Sequence, residues 1–207
     1  MAVLLVAVLT AVLPESAEAA SISAGAKPRC GPSGTRTLAA NHFGRVFERR
    51  DSVYSCGYRR RAVHRIGAKY DCGSSSACGG VTIVKLAERW VGFAEFFSDG
   101  STTVSWVAVV NMSSGHTLHK HREGGYSSDG QRTTDAVTDA IVLKRNGSIG
   151  WIEAVTQLPR PSFGEVHRFD RTGHALLDTA SKIRRLRLQG TSMTWLHDGE
   201  PRSAPLD

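Results

Sequence analysis

The residues that could do chemistry are few and scattered. His116, His119 and His121, followed by Glu123, come nearest to a metal-binding pattern. On a strand His119 and His121 share a face, so two imidazoles could meet one ion. Two of the three histidines fall at a turn or strand end, and His116 has a counterpart in His174, which points to a structural role. The chain is therefore read as holding no metal, with His119 and His121 as the weak candidates. Asp129, Asp135, Asp139 and Glu153 could supply paired carboxylates, but their spacing selects no pair facing a cleft. There is no Gly-x-Ser-x-Gly elbow, no P-loop and no dinucleotide-binding glycine motif between a strand and a helix. No catalytic residue is assigned and no cofactor is expected.

Two basic clusters stand out, Arg59, Arg60 and Arg61, and Arg184, Arg185 and Arg187. Strand alternation would divide each between two faces, which reads as edge or turn charge that blocks edge-to-edge pairing. The competing reading is capture of an anionic polymer at the cell surface, favoured by the positive charge. Nucleic acid is disfavoured, because no aromatic platform interleaves the arginines.

The four cysteines, Cys30, Cys56, Cys72 and Cys78, predict disulfides, and Cys30–Cys56 with Cys72–Cys78 is the favoured pairing. Five residues separate Cys72 from Cys78 and no Cys-x-x-Cys occurs, which argues against zinc. By loop-closure entropy the longer loop contributes about 3.5 kcal/mol and the shorter about 2.4 kcal/mol.

Disulfides agree with the N-terminus. Residues 1–13 are apolar, Pro14 interrupts them, and Ala17, Glu18 and Ala19 supply a small-x-small cleavage site. A signal peptide over 1–19 is expected, although no Lys or Arg precedes the apolar run. Its removal takes away Glu15 and Glu18, raising the formal charge from +7 to +9. No other apolar run approaches the roughly 20 residues that span a bilayer, so no membrane span is expected after cleavage. The predicted organisation is a signal peptide (1–19), an N-terminal tail (20–34) and a single all-β repeat domain (35–207).

The elements that must carry these residues read as strands: short, β-branched or aromatic runs bounded by Gly, Ser, Asn and Asp. They are predicted at 43–48, 53–58, 62–66, 81–86, 90–96, 103–110, 116–120, 137–144, 148–154, 165–169, 174–178, 184–188, 192–196 and 202–206. They also repeat. Ser114-Gly115-His116-Thr117-Leu118 matches Thr172-Gly173-His174-Ala175-Leu176, and the glycines are 58 positions apart. Val91 and Ile149, in Trp-Val-Gly-Phe and Ser-Ile-Gly-Trp, share that offset. Weaker copies surround Met193 and Val53. Each unit is read as a strand ending at Phe47, Leu86, Leu143 or Leu188, then a strand centred on Val53, Val91, Ile149 or Met193, then a second hairpin.

Four antiparallel strands per unit is a propeller-blade layout. The Asp170-Arg171-Thr172-Gly173 turn resembles the outer-hairpin turn of WD40-like, TolB-like and quinoprotein-type β-propeller repeats, over about residues 36–206. The chain also looks like small secreted proteins of unknown function from GC-rich, actinobacterial-type bacteria, a resemblance that its 20 Arg against 6 Lys suits. The resemblance implies an all-β, propeller-like array of about four antiparallel blades. A β-sandwich or irregular β-barrel is the alternative. The last unit is one strand short, and residues 35–40 are expected to supply that strand and close a ring.

Turn lengths then define two rims. Tight turns at 87–89, 111–115, 145–147, 170–173 and 189–191 share one. Long connections at 67–80, 97–102, 121–136, 155–164 and 179–183 share the other. Loops on a rigid scaffold are where binding usually sits, so the loop-rich rim is expected to bind through His121, Arg122, Tyr126, Arg132, Gln157, Arg160 and Phe163. The first reading of function is a secreted or extracytoplasmic, non-catalytic binding module for a protein or an anionic cell-envelope polymer. A small extracytoplasmic hydrolase or lyase, and a structural part of an envelope complex, are the alternatives.

Overall fold

The computed structural model describes residues 30–73, 77–100, 103–126, 133–157 and 161–207. Among them are fifteen strands and no helix. The signal-peptide segment, most of the N-terminal tail, and Asp129, Arg132 and Arg160 lie outside the described residues.

The strands form successive antiparallel meanders. The first sheet contains β1 (Thr37–Ala40), β2 (Gly44–Arg49), β3 (Ser52–Gly57) and β4 (Val63–Ala68). The second contains β5 (Cys78–Ala87), β6 (Trp90–Ser98), β7 (Thr103–Asn111) and β8 (Thr117–Tyr126), and the third β9 (Thr133–Leu143), β10 (Ile149–Gln157), β11 (Phe163–Asp170) and β12 (Gly173–Ala180). Among the described residues these two are hydrogen-bonded into one eight-stranded sheet only where Gly125 pairs with Thr134 and Tyr126 with Thr133. The fourth contains β13 (Ile183–Gln189), β14 (Ser192–His197) and β15 (Glu200–Pro205). All fourteen predicted strands coincide with observed ones.

The expected ring-closing strand is placed differently. Thr37–Ala40 pairs with β2, completing the first sheet rather than the last. The Asn41 carboxamide explains this: its Oδ1 accepts from the backbone N–H of Phe43 (2.9 Å) and Gly44 (3.1 Å). That local turn makes a hairpin with little loop-closure entropy, whereas pairing with the fourth sheet must close most of the chain. The first unit is consequently one strand out of phase with the predicted repeat. Phe47 lies on the second strand of its sheet and Val53 on the third, whereas Leu86, Leu143 and Leu188 lie on first strands. The connection expected to be long at 179–183 is also short, since β12 ends at Ala180 and β13 starts at Ile183.

Strands β6, β7 and β10 are largely buried on both faces because their sheets are covered on both sides. Val46 and Val53 of the first sheet pack with Val81, Val91 and Phe93 of the second. Val107 and Val109 of the second meet Ile141, Leu143, Ile149 and Trp151 of the third. Ile152 and Val166 of the third meet Ile183, Met193, Trp195 and Leu206. No apolar cluster among the described residues joins the first sheet to the fourth. Small residues set the spacing. A methyl at Gly150 would meet Met193 Sδ at 2.7 Å, and one at Gly92 would meet Ile149 Cδ1 at 3.1 Å. Val91, Ile149 and Met193 are therefore equivalent knobs, and the last two enter the glycine notch of the preceding sheet.

The two ends differ. On the outer face of the first sheet, Phe47, Tyr54 and Tyr58 are covered by the segment at Cys30, tied down by the Cys30–Cys56 disulfide. Arg45 clamps that segment, donating to Cys30 O (2.7 Å) and to Thr35 Oγ1 (3.0 Å). Gly31 has φ +79°, and a Cβ there would meet the Phe47 ring at 2.6 Å, so only glycine lets the chain cross. The second disulfide, Cys72–Cys78, closes the loop before β5. The outer face of the fourth sheet is polar instead, with Arg187, Thr194 and Ser203 in one row across the strands. No helix among the described residues is long and apolar enough to cross a membrane.

Candidate functional site

Hairpin alternation places the β1–β2, β5–β6, β9–β10 and β13–β14 turns on one rim, together with the β3–β4, β7–β8 and β11–β12 turns. The first group converges. Asn41 and His42, Ala87 and Glu88, Lys144 and Arg145, and Leu188 and Gly190 line a single cavity of about 730 Å³. Residues from all four sheets thus meet at one place. Hydrogen bonds brace it: Asn41 Nδ2 donates to Glu88 O (2.8 Å), and Lys144 Nζ to Leu206 O. Arg145 lies 3.9 Å from Glu88.

Beside it, sharing His42, is a second cavity of about 430 Å³. Phe43, Tyr58, Arg59, Arg60, Arg89, Asn111, Ser113 and Ser114 complete its wall. The sequence forms it through turns that fit together. Asn111 Oδ1 accepts from Ser113 N (2.9 Å) and Ser114 N (3.3 Å), which shapes the β7–β8 turn. Gly115 has φ +71° and allows close approach to His64, whose Nε2 lies 3.4 Å from Ser113 O. Arg59 and Arg60 are exposed turn residues, and Arg89 is exposed in the β5–β6 turn. Among the described residues none of these three arginines is in a salt bridge, while Arg36, Arg145, Arg168, Arg171 and Arg202 each have an acidic partner. Arg184, Arg185 and Arg187 stay apart on β13.

A second constellation lies between the second and third sheets. This seam is apolar near the tight-turn rim and polar farther along. Glu153 is fully buried, and its Oε1 accepts from Ser105 Oγ, with Thr138 Oγ1 3.5 Å from that hydroxyl. His167, with a side chain 3% exposed, sits 3.0 Å by Nε2 from Glu165 Oε2 and 4.0 Å from Glu153 Oε2. Its Nδ1 is 3.1 Å from His174 Nε2, and His174 is exposed. A carboxylate only accepts, so His167 Nε2 carries a proton. His167 Nδ1 and His174 Nε2 then hold one proton between them. Glu165, His167 and His174 form a carboxylate–imidazole–imidazole chain that runs from the partly exposed Glu165 through the buried His167 to the exposed His174.

The metal candidates have other partners. His119 and His121 share a face of β8, as alternation requires, but His119 stacks on Phe169 (4.3 Å between ring centroids) and His121 on His174 (3.8 Å). Burial holds His119 below its usual pKa, partly offset by Asp170, which favours a neutral ring packed as an aromatic. No group of three or more His, Cys, Asp or Glu among the described residues is placed to hold a metal. The candidate carboxylates are also dispersed: Asp135 Oδ1 accepts from Thr103 N at 2.6 Å, while Glu153 is buried with Ser105.

Of the expected binding residues, Tyr126 ends β8, Gln157 ends β10 and Phe163 begins β11, so these three stand at the loop-rich rim. His121 and Arg122 lie along β8, the first half-buried against Trp151 and the second exposed. The cavities of the tight-turn rim are lined by a different set, Asn41, His42, Arg59, Arg60, Arg89, Lys144 and Arg145. Sequence reasoning treated the first two arginines as edge or turn protection and passed over Arg89 and Lys144. The Glu165-Val-His167 spacing did carry a signal, since alternation puts both side chains on one strand face. Comparison with known proteins adds no relative: no family model, no curated protein and no solved structure matches the chain.

Proposed function

We propose that this chain is an exported, non-catalytic binding module, and that its four sheets form a propeller-like array presenting the tight-turn rim to an anionic polymer of the cell envelope. The observation that carries the reading is the convergence of four first turns on one cavity, flanked by Lys144 and Arg145 and adjoining Arg59, Arg60 and Arg89. First strands gathered at one end suit blades set about an axis. Two disulfides suit export, and the net positive charge steers anions toward the rim. Purified protein should be retained on immobilised dextran sulfate, polygalacturonate or polyphosphate and released as salt rises. Retention on none of them, or retention unchanged at high ionic strength, overturns the reading.

A second reading, a small exported hydrolase or lyase, draws on the Glu165–His167–His174 chain, which could pass a proton to a surface substrate. Turnover of 4-nitrophenyl esters or glycosides that disappears in His174→Asn would favour it over the binding module.

A further inference from the structure

We propose that the cavity walled by Arg59, Arg60 and Arg89 is the primary contact for one acidic saccharide unit, a sugar ring bearing a carboxylate or sulfate. The inference rests on the rim reading above and narrows it to one cavity and one ligand chemistry. Arg59, Arg60 and Arg89, none with an acidic partner among the described residues, line one space of about 430 Å³, and the Arg89 guanidinium lies 5.5 Å from the Trp90 ring centroid. Gathering like charges costs free energy, and an oxyanion recovers it through paired, charge-assisted N–H···O bonds that match the guanidinium fork. Glu88, the acid of the adjoining β5–β6 turn, lies 3.9 Å from Arg145. Among the described residues no lysine lines this cavity, and its three arginines are of the bidentate kind.

The rest of the wall suits a ring rather than a bare anion. Phe43 is 36% exposed and Tyr58 half-buried, which leaves apolar ring surface for the C–H face of a sugar. Asn111, Ser113 and Ser114 also line the cavity, polar groups that can hydrogen-bond hydroxyls. The β7–β8 turn is fixed by the Asn111 and His64 contacts, so that part of the wall is preformed.

The test uses the full mature chain and four probes: trigalacturonate, a sulfated disaccharide, tripolyphosphate and neutral maltotriose, titrated calorimetrically. Binding of the first two, with tripolyphosphate and maltotriose at least about tenfold weaker, is expected from the added ring and anion contacts. Arg59→Ala/Arg60→Ala/Arg89→Ala should lose about a hundredfold in affinity, and the corresponding Lys triple about tenfold, with thermal midpoints unchanged. Arg65→Ala/Lys85→Ala, two exposed cations that line neither cavity, should leave trigalacturonate affinity within about twofold. Equal loss in the two sets of alanine variants, or tripolyphosphate binding as tightly as the saccharides, overturns this assignment while the rim reading stands. Failure of every polyanion on the column overturns both.

Discussion

Two aspartates show how single side chains tie the third sheet to the fourth. Asp178 on β12 takes the indole N–H of Trp195 (2.6 Å) and Nδ1 of His197 (2.9 Å), both on β14. Asp170 is 2% exposed and binds Thr172 twice, through backbone N–H (2.9 Å) and hydroxyl (2.6 Å), with Arg168 at 3.5 Å. Burial pushes both carboxyls up, but the hydrogen bonds and cationic neighbours outweigh it and hold both below the usual range. A depressed folded-state pKa means stability that is fully present above the unfolded value, near 3.9, and lost as pH falls through the folded value. Chemical denaturation followed from pH 5 downward should show stability falling below about pH 4. Asp178→Asn should flatten that fall and cost about 1–3 kcal/mol at pH 7, because an amide N–H₂ then faces the Trp195 donor. An unchanged acid limb in Asp178→Asn would rule out this role.

Between elements, the recurring device is a glycine on one second strand facing a knob on the next. Gly150→Ala forces Met193 aside, since the new methyl would lie 2.7 Å from its sulfur. A cost of about 1–3 kcal/mol is expected in urea denaturation. Met193→Ala alone should cost about 2–5 kcal/mol. The double variant should cost less than the sum, because the shortened side chain no longer meets the added methyl; strict additivity would mean the notch does not set the sheet spacing. This contact was partly legible beforehand. The shared offset of Val91 with Ile149 marked equivalent strands, in which a glycine, Gly92 or Gly150, follows the knob. The partner of Thr37–Ala40 was not legible, because a four-residue strand has too little pattern of its own and the Asn41 turn decides its pairing. The arginine-walled cavity was hidden for a different reason. Its wall comes from four turns far apart in sequence, and only the folded sheets bring Arg59 beside Arg89.

At the scale of the whole molecule, three separate apolar seams replace a single core, and each sheet's stability depends on how many faces are covered. The second and third sheets are covered on both sides. The first has the next sheet on one face and the disulfide-anchored Cys30 segment on the other. The fourth has one seam and one polar face. The consequence is an order in time. In native-state hydrogen exchange, amides of β14 should open at the lowest free energy and those of β6, β7 and β10 only with global unfolding. Reduction of Cys30–Cys56 should lower protection of β2 and β3 toward that of β14 and leave β10 unaffected. Equal protection across the four sheets would show a single cooperative unit. With the disulfide intact, the array comes apart from its C-terminal end, as a stack of cards slips from the side that nothing holds.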